Sequence, residues 1–125
     1  MLKKLHFQFD KKDKNSFFKR KLLKKYKNYT ASKSDVIVVL GGDGFMLSTI
    51  KKFQKYNKPF YGMNRGTFGF LMNKFNINGI LKNLQKAKTV NISPLEMIAH
   101  TVNNIKKKVI AINEISLFRQ SKQTS

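Results

Sequence analysis

The sequence predicts an α/β protein that begins with parallel strands and continues with antiparallel ones. Short apolar runs typical of strands alternate with stretches of helical spacing, which is the pattern of β-α-β units. One run, residues 36–40, has five consecutive aliphatic side chains, as expected for a strand covered on both faces. From about residue 90 the pattern changes to extended segments around a turn, which indicates antiparallel strands.

The first predicted unit is a strand, a helix and a second strand. Leu5, Phe7 and Phe9 alternate with polar residues, so a short strand with one buried face is expected. Apolar residues recur every four positions over residues 14–28, which predicts an amphipathic helix with lysines on its solvated face. A polar connector, residues 29–35, leads into the strand at 36–40.

A further helix, strand and helix follow. Helical spacing predicts a helix over residues 45–56, which ends before Pro59, and an extended segment over residues 60–63. Glycines and aromatic residues at 64–71 indicate an ordered loop. Another amphipathic helix is expected from Ile77 to about residue 88, capped by Asn76.

The last part of the chain reads as extended. Residues 90–102 and 105–112 predict two strands joined by a turn at Asn103 and Asn104. Residues 115–118 predict another extended piece, and a polar tail follows.

Lysine dominates the charge of the chain. Its 26 Lys and Arg against 6 Asp and Glu give a formal charge of +20, which first suggests a polyanionic partner. Only Arg20, Arg65 and Arg119 supply the planar group that grips phosphates and guanine edges, so lysine-rich solvated surfaces are the preferred interpretation and no specific nucleic acid is expected. A basic nucleic-acid-binding protein remains an alternative, with rings such as Tyr26 and Tyr29 as stacking surfaces.

The remaining composition bounds the class of protein. There is no cysteine, so disulfides, thiolate metal sites and a catalytic thiol are excluded, and a cytoplasmic location is expected. No signal-peptide pattern and no apolar run of about 20 residues is present, so no membrane association is expected. His6 and His100 have no neighbouring metal-binding side chain in the sequence, and no protein metal site is predicted.

The motif Gly41-Gly42-Asp43-Gly44 directly follows the aliphatic strand. A carboxylate at the carboxyl end of such a strand lies where open α/β sheets bind ligands, and the helix that follows directs backbone N–H groups to the same place. Asp43 could accept a proton from a substrate hydroxyl, orient a metal-bound phosphate, or cap the helix. The motif is neither a Walker P-loop nor a dinucleotide fingerprint.

Three segments together resemble the bacterial NAD kinase (ATP-NAD kinase) family. They are DVIVVLGGDGFML at 35–47, GMNRGTFGFLMN at 62–73 and AINEISLFRQ at 111–120, in the family's order and spacing. The resemblance runs from about Leu5 to Gln120 and concerns the amino-terminal portion of the family.

The resemblance implies an activity and its participants. The γ-phosphoryl group of ATP would pass to the 2′-hydroxyl of the adenosine ribose of NAD, giving NADP, with a divalent cation, usually Mg²⁺. Asp43 matches the proton acceptor for that hydroxyl. Gly41, Gly42 and Gly44 match the turn that shapes the phosphate pocket and contacts the nucleotide.

The other two motifs imply contacts to NAD. Phe70 and Leu71 match positions on the adenine side of the site, although core packing explains these residues equally well from the sequence. Asn113 and Glu114 match an Asn-Glu pair that hydrogen-bonds the dinucleotide, and without the resemblance they would be an ordinary turn.

The resemblance also implies two domains. Residues 1–89 are expected to form a Rossmann-like, three-layer nucleotide-binding domain, and residues 90–125 the start of an incomplete all-β NAD-binding domain. A fragment, a split gene product completed by a carboxyl-terminal polypeptide, and an inactive remnant are all compatible with this. A homo-oligomer is expected of the complete protein. A diacylglycerol-type lipid kinase, which shares a Gly-Gly-Asp-Gly turn, is the alternative enzyme.

Overall fold

A computed structural model describes residues 3–11, 18–64, 71–93 and 114–120, in which one mixed sheet is covered by helices. The strands of these residues are β1 (Leu5–Phe9), β2 (Val36–Leu40), β3 (Phe60–Asn64), β4 (Met72–Lys74), β5 (Lys88–Ile92) and β6 (Ile115–Arg119). The helices are α1 (Lys19–Lys25), α2 (Asp43–Phe53) and α3 (Ile80–Lys86), with short 3-10 turns at Ala31–Lys33 and Gln54–Tyr56. The predicted α/β class, with mostly parallel strands and antiparallel strands near the carboxyl end, is confirmed.

The sheet has a fork at β3. The order of the described strands is β1-β2-β3-β6-β5, and among them β4 pairs with β3 alone. The start of β3 pairs with β6, Phe60 opposite Leu117, and its end pairs with β4, Gly62 opposite Met72. Since β2 occupies the other edge of β3, β4 and β6 share one edge between them.

Strand β2 separates two apolar layers. Ile37 and Val39 belong to the cluster packed against α2, whereas Val36, Val38 and Leu40 belong to the cluster that contains residues of α1 and α3. All five side chains of β2 are fully buried. Each such side chain stabilises the fold by roughly 1.5–3 kcal/mol, so this strand anchors the sheet.

The helices differ in their limits from the predicted ones. Helix α2 begins at Asp43 rather than at residue 45, because Gly42 is extended and serves as its N-cap. Within the described residues α1 is shorter than predicted, and Leu22 is its only buried residue. Helix α3 begins at Ile80, because Gly79 is left-handed with φ 71°, and Asn76 accepts a hydrogen bond from the N–H of Asn78 in a turn instead of capping the helix.

The carboxyl-terminal strands extend this same sheet. Strand β5 is antiparallel to β6, and β6 runs parallel to β3. Residues 90–92 of the predicted strand 90–102 belong to β5, whereas the rest of that segment, the turn at Asn103 and Asn104 and the predicted strand 105–112 lie outside the described residues. The boundary between residues 89 and 90 therefore stays a prediction. No helix of the described ranges has the length and hydropathy needed to cross a bilayer.

A buried phenol connects β3 to the end of β6. The hydroxyl of Tyr61 accepts a hydrogen bond from Nε2 of Gln120 at 2.7 Å, and the ring is fully buried. Burial raises the pKa of Tyr61 to about 12, because the anion would lose its hydration.

We expect the Tyr61 phenol to make folding stability sensitive to alkaline pH. Its folded-state pKa lies above the ordinary value of 10.0, so its stabilising effect is complete below pH 10 and is lost as the pH rises toward 12. Tyr61→Phe should cost about 1 kcal/mol near neutral pH, because one hydrogen bond is lost, and this deficit should shrink or reverse by pH 12. Urea unfolding of both proteins across this range measures the difference, and a constant deficit would contradict the assignment.

Candidate active site

The turn after β2 is fixed to the strands on both sides of it. The N–H of Gly41 donates to the carbonyl of Met63 at 3.2 Å, and the N–H of Asp10 donates to the carbonyl of Leu40 at 3.0 Å. The carbonyl of Gly42 accepts the N–H of Met46 at 2.9 Å and so begins α2. The chain therefore turns from strand to helix at a defined point of the carboxyl edge.

Asp43 is the first residue of α2 and is half-buried. Its Oδ1 accepts a hydrogen bond from the backbone N–H of Leu71 at 3.1 Å, although the two residues are 28 positions apart. A carboxylate in the first turn also interacts favourably with the helix dipole. The residue just before β4 thus orients the carboxylate predicted to be catalytic.

The glycines of the motif differ in what the fold requires of them. A Cβ atom at Gly41 would lie 2.8 Å from Cδ2 of Phe45 and 3.0 Å from Cβ of Asp10, so only glycine fits without a shift. Within the part of the chain that the structure describes, a Cβ at Gly42 or Gly44 would meet no atom within 4 Å, and neither residue has a positive φ. Open space therefore lies on both sides of Asp43, where a ligand can approach the backbone.

Of the predicted positions beyond the glycine turn, the structure brings Leu71 to Asp43 and separates Glu114 from it. Leu71 is fully buried in the cluster against α2, and its N–H reaches Asp43. Its side chain thus has the packing role that the sequence also allowed. Phe70 and Asn113 lie outside the described residues.

Glu114 lies at the amino end of β6, whereas Asp43 lies at the carboxyl end of β2, so the two residues are at opposite ends of the parallel strands. It precedes β6, which runs parallel to β3, and Leu117 lies level with Phe60 and hence with Ile37 of β2. Counting along the strands from this level gives a separation of about 20 Å between Glu114 and Asp43. Glu114 instead lines a cavity of about 320 Å³ together with Gln54, Asn57, Lys58, Thr89 and Ser116, among others.

Asn73 is a polar residue of this region that the sequence did not single out. It is 6% exposed and lies in β4, where its amide contacts β3 and the end of β6. An asparagine directly after a run of apolar residues was the available signal, because a buried amide needs specific partners. Without the sheet pairing, those partners could not be named.

Comparison with known proteins shows the family to which the chain is similar. A family model described as the ATP-NAD kinase N-terminal domain matches residues 2–92. The NAD kinase of Brucella suis biovar 1 (strain 1330) is 41% identical over 121 residues, covering 97% of this chain and 47% of the relative.

Two further relatives show the same relationship. The NAD kinase of Hyphomonas neptunium is 45% identical over 101 residues, covering 81% of this chain and 40% of that protein. The NAD kinase of Rickettsia bellii is 37% identical over 124 residues, covering 99% and 49%. The chain spans about half the length of the curated relatives it matches. With the family model spanning most of the chain and three motifs in register, the chain belongs to the ATP-NAD kinase family, of which it represents the amino-terminal part.

Proposed function

We propose that this chain supplies the catalytic aspartate of an NAD kinase, which transfers the γ-phosphoryl group of ATP to the 2′-hydroxyl of the adenosine ribose of NAD. The observation that carries the proposal is the position of Asp43 at the carboxyl end of β2, between two glycines at which a Cβ would meet no atom of the described residues within 4 Å. An open space beside a held carboxylate is what a ribose hydroxyl requires in order to reach a proton acceptor.

The proposed step uses Asp43 as a general base. As the ribose 2′-oxygen forms its bond to the γ-phosphorus, the bond from that phosphorus to the β–γ bridging oxygen breaks and ADP leaves. The hydroxyl proton passes to the Asp43 carboxylate. Because the transition state is loose, alignment matters more than base strength, and the hydrogen bond from Leu71 to Oδ1 holds this carboxylate in place.

A divalent cation fits this site only with help from the substrate. Among the described residues no group of three Asp, Glu, His or Cys side chains could hold a metal ion. Mg²⁺ commonly binds through one or two carboxylates together with substrate phosphates and water, and Asp43 is a carboxylate suited to that mode. The cation would neutralise charge on the transferred phosphoryl group.

The remaining contacts to NAD are part of the same proposal. Gly41, Gly42 and Gly44 shape the space around the phosphates. The roles of Phe70 and Leu71 on the adenine side rest on the family resemblance, because the side chain of Leu71 is fully buried in the core. The roles of Asn113 and Glu114 toward the dinucleotide rest on the family resemblance, because the structure describes Glu114 at the opposite end of the parallel strands.

A complementing polypeptide and self-association are further parts of the proposal. Since this chain spans about half of its relatives, the proposed activity belongs to a complex with the other half or to a longer protein. Strand β5, at one edge of the sheet, exposes Val90 at 37%, a surface that additional chain can cover.

Asp43→Asn is the direct test of the proposed chemistry. The amide keeps the shape of the side chain but cannot accept the proton, so the rate of NADP formation should fall about 10²- to 10⁴-fold. The chain is mixed with a separately expressed carboxyl-terminal half, and a coupled assay with an NADP-dependent dehydrogenase measures the rate of NADP formation. Asp35→Asn is the matched control, because Asp35 also accepts backbone N–H groups, from Lys3 and Lys4. An unchanged rate in Asp43→Asn would refute the proposal.

The glycines give a test that separates stability from function. Gly44→Ala should raise the free energy of unfolding by up to about 1 kcal/mol, because glycine is unfavourable in a helix, and should still lower NADP formation by filling the ligand space. Gly41→Ala should instead lower the free energy of unfolding by about 1–3 kcal/mol, because the added methyl group overpacks against Phe45 and Asp10. Thermal unfolding with parallel activity assays would detect both effects. An active, stabilised Gly44→Ala protein would show that the open space is not used.

Complementation tests whether the chain works with a second polypeptide. We expect little or no NADP formation by this chain alone and a marked increase on adding the carboxyl-terminal half, because the relatives are about twice as long. Size-exclusion chromatography of the mixture should show a joint species. A mixture that forms the joint species but no NADP would argue for an inactive remnant.

A further inference from the structure

The side chain of Asn73 links three strands at the fork of the sheet. Its Nδ2 donates to the carbonyl of Gly62 in β3 at 2.9 Å and to that of Phe118 in β6 at 3.1 Å. Its Oδ1 accepts the N–H of Gln120 at 2.9 Å. Both donors and the acceptor of this buried amide are therefore used, and a substitution would leave buried backbone groups unpaired.

Strand β4 depends on these contacts for its position. It has only three residues and pairs with no strand other than β3 within the described part of the chain. So short a ladder is weak by itself, and the bonds of Asn73 to two neighbouring strands add the missing restraint. Leu71 comes directly before β4, so the placement of its N–H follows the placement of β4.

This N–H is the group that donates to Oδ1 of Asp43 at 3.1 Å. From these contacts we propose that Asn73 is a positioning residue, which aligns Asp43 through the N–H of Leu71 and makes this alignment depend on the docking of β6. The importance of the alignment for catalysis rests on the proposed function of Asp43. The geometric link does not, and it can be tested without turnover.

The link predicts that β6 controls the active carboxylate. When β6 is docked, Phe118 and Gln120 engage the Asn73 amide and β4 is held. When β6 leaves, that amide loses two of its three hydrogen-bonding partners. The docking of β6 therefore affects the alignment of the Asp43 carboxylate.

Asn73→Leu tests the link, because leucine has a similar shape and no hydrogen-bonding groups. In ¹H–¹⁵N spectra of the full chain, the hydrogen exchange of the Leu71 amide, compared with that of the Val38 amide of β2, is the Leu71 response that the test measures, and in the natural protein the Leu71 amide should exchange slowly. In Asn73→Leu this exchange should quicken about tenfold relative to the Val38 amide. Val38 serves as the reference for global stability.

Two further variants keep the test decisive. Asn73→Ser retains one donor, so it should fold more readily and show an intermediate response of the Leu71 amide. Asn91→Ala is the matched control, because Asn91 also links two strands, accepting the Ser116 hydroxyl at 2.8 Å, but does not touch β4. A natural Leu71 response in folded Asn73→Leu or Asn73→Ser would overturn the proposal, as would an equal change in Asn91→Ala.

Activity distinguishes this inference from the proposed function. In the complemented enzyme, Asn73→Ser should lower kcat about 10-fold or more with little change in KM for NAD, because misalignment affects the reacting groups more than binding. If Asp43→Asn retains full activity while the Leu71 response still depends on Asn73, the proposed chemistry fails and the structural link stands. If kcat falls but the Leu71 response is natural, the link fails and the chemistry stands.

Discussion

Burial of β2 on both faces is the constraint on which the rest of the structure depends. Its five side chains are divided between the layer of α2 and the layer of α1 and α3. A charged side chain at any of these positions would lose its hydration and destabilise the fold. A carboxylate can therefore follow only where the strand ends. There Gly41 allows the close turn, and the start of α2 presents Asp43 at the carboxyl edge.

Three lysines lie over the rings of Tyr26 and Tyr29. Lys4 and Lys27 both lie over the ring of Tyr29, at 5.9 and 4.9 Å, and Lys25 lies 5.9 Å from the centroid of the Tyr26 ring. These are two of the rings that could have stacked on bases, and the chain's own lysines cover them. The family model that matches residues 2–92 is that of the ATP-NAD kinase N-terminal domain, the family that the three motifs resemble.

Local pattern predicted the parts of the fold that local sequence determines. The strands at β1, β2 and β3 and the helix after the glycine turn have clear periodicity, and the structure contains each of them. Strand β4 was not predicted, because it is three residues long and only its pairing with β3 makes it a strand. The start of α3 was placed too early, because a left-handed Gly79 is not visible in an apolar pattern.

The position of Glu114 was beyond sequence reasoning for a related reason. The three motifs gave an order along the chain, whereas the side of the sheet on which Glu114 lies follows from the parallel pairing of β6 with β3. Such long-range pairing leaves no local signature, because it is decided by which edge of β3 remains open. The hydrogen bond between Leu71 and Asp43 was not predicted for the same reason, because neither residue type indicates it.

The fork at β3 also explains why a buried asparagine is tolerated in an otherwise apolar sheet. Parallel neighbours are usually joined by a crossover of a dozen or more residues, but only residues 65–71 separate β3 from β4. Hydrogen bonds from the side chain of Asn73 help to fix the register of so short a strand. Asn73 meets that need because one amide can pair with β3 and β6 together, where a hydrophobic side chain would leave three backbone groups unsatisfied.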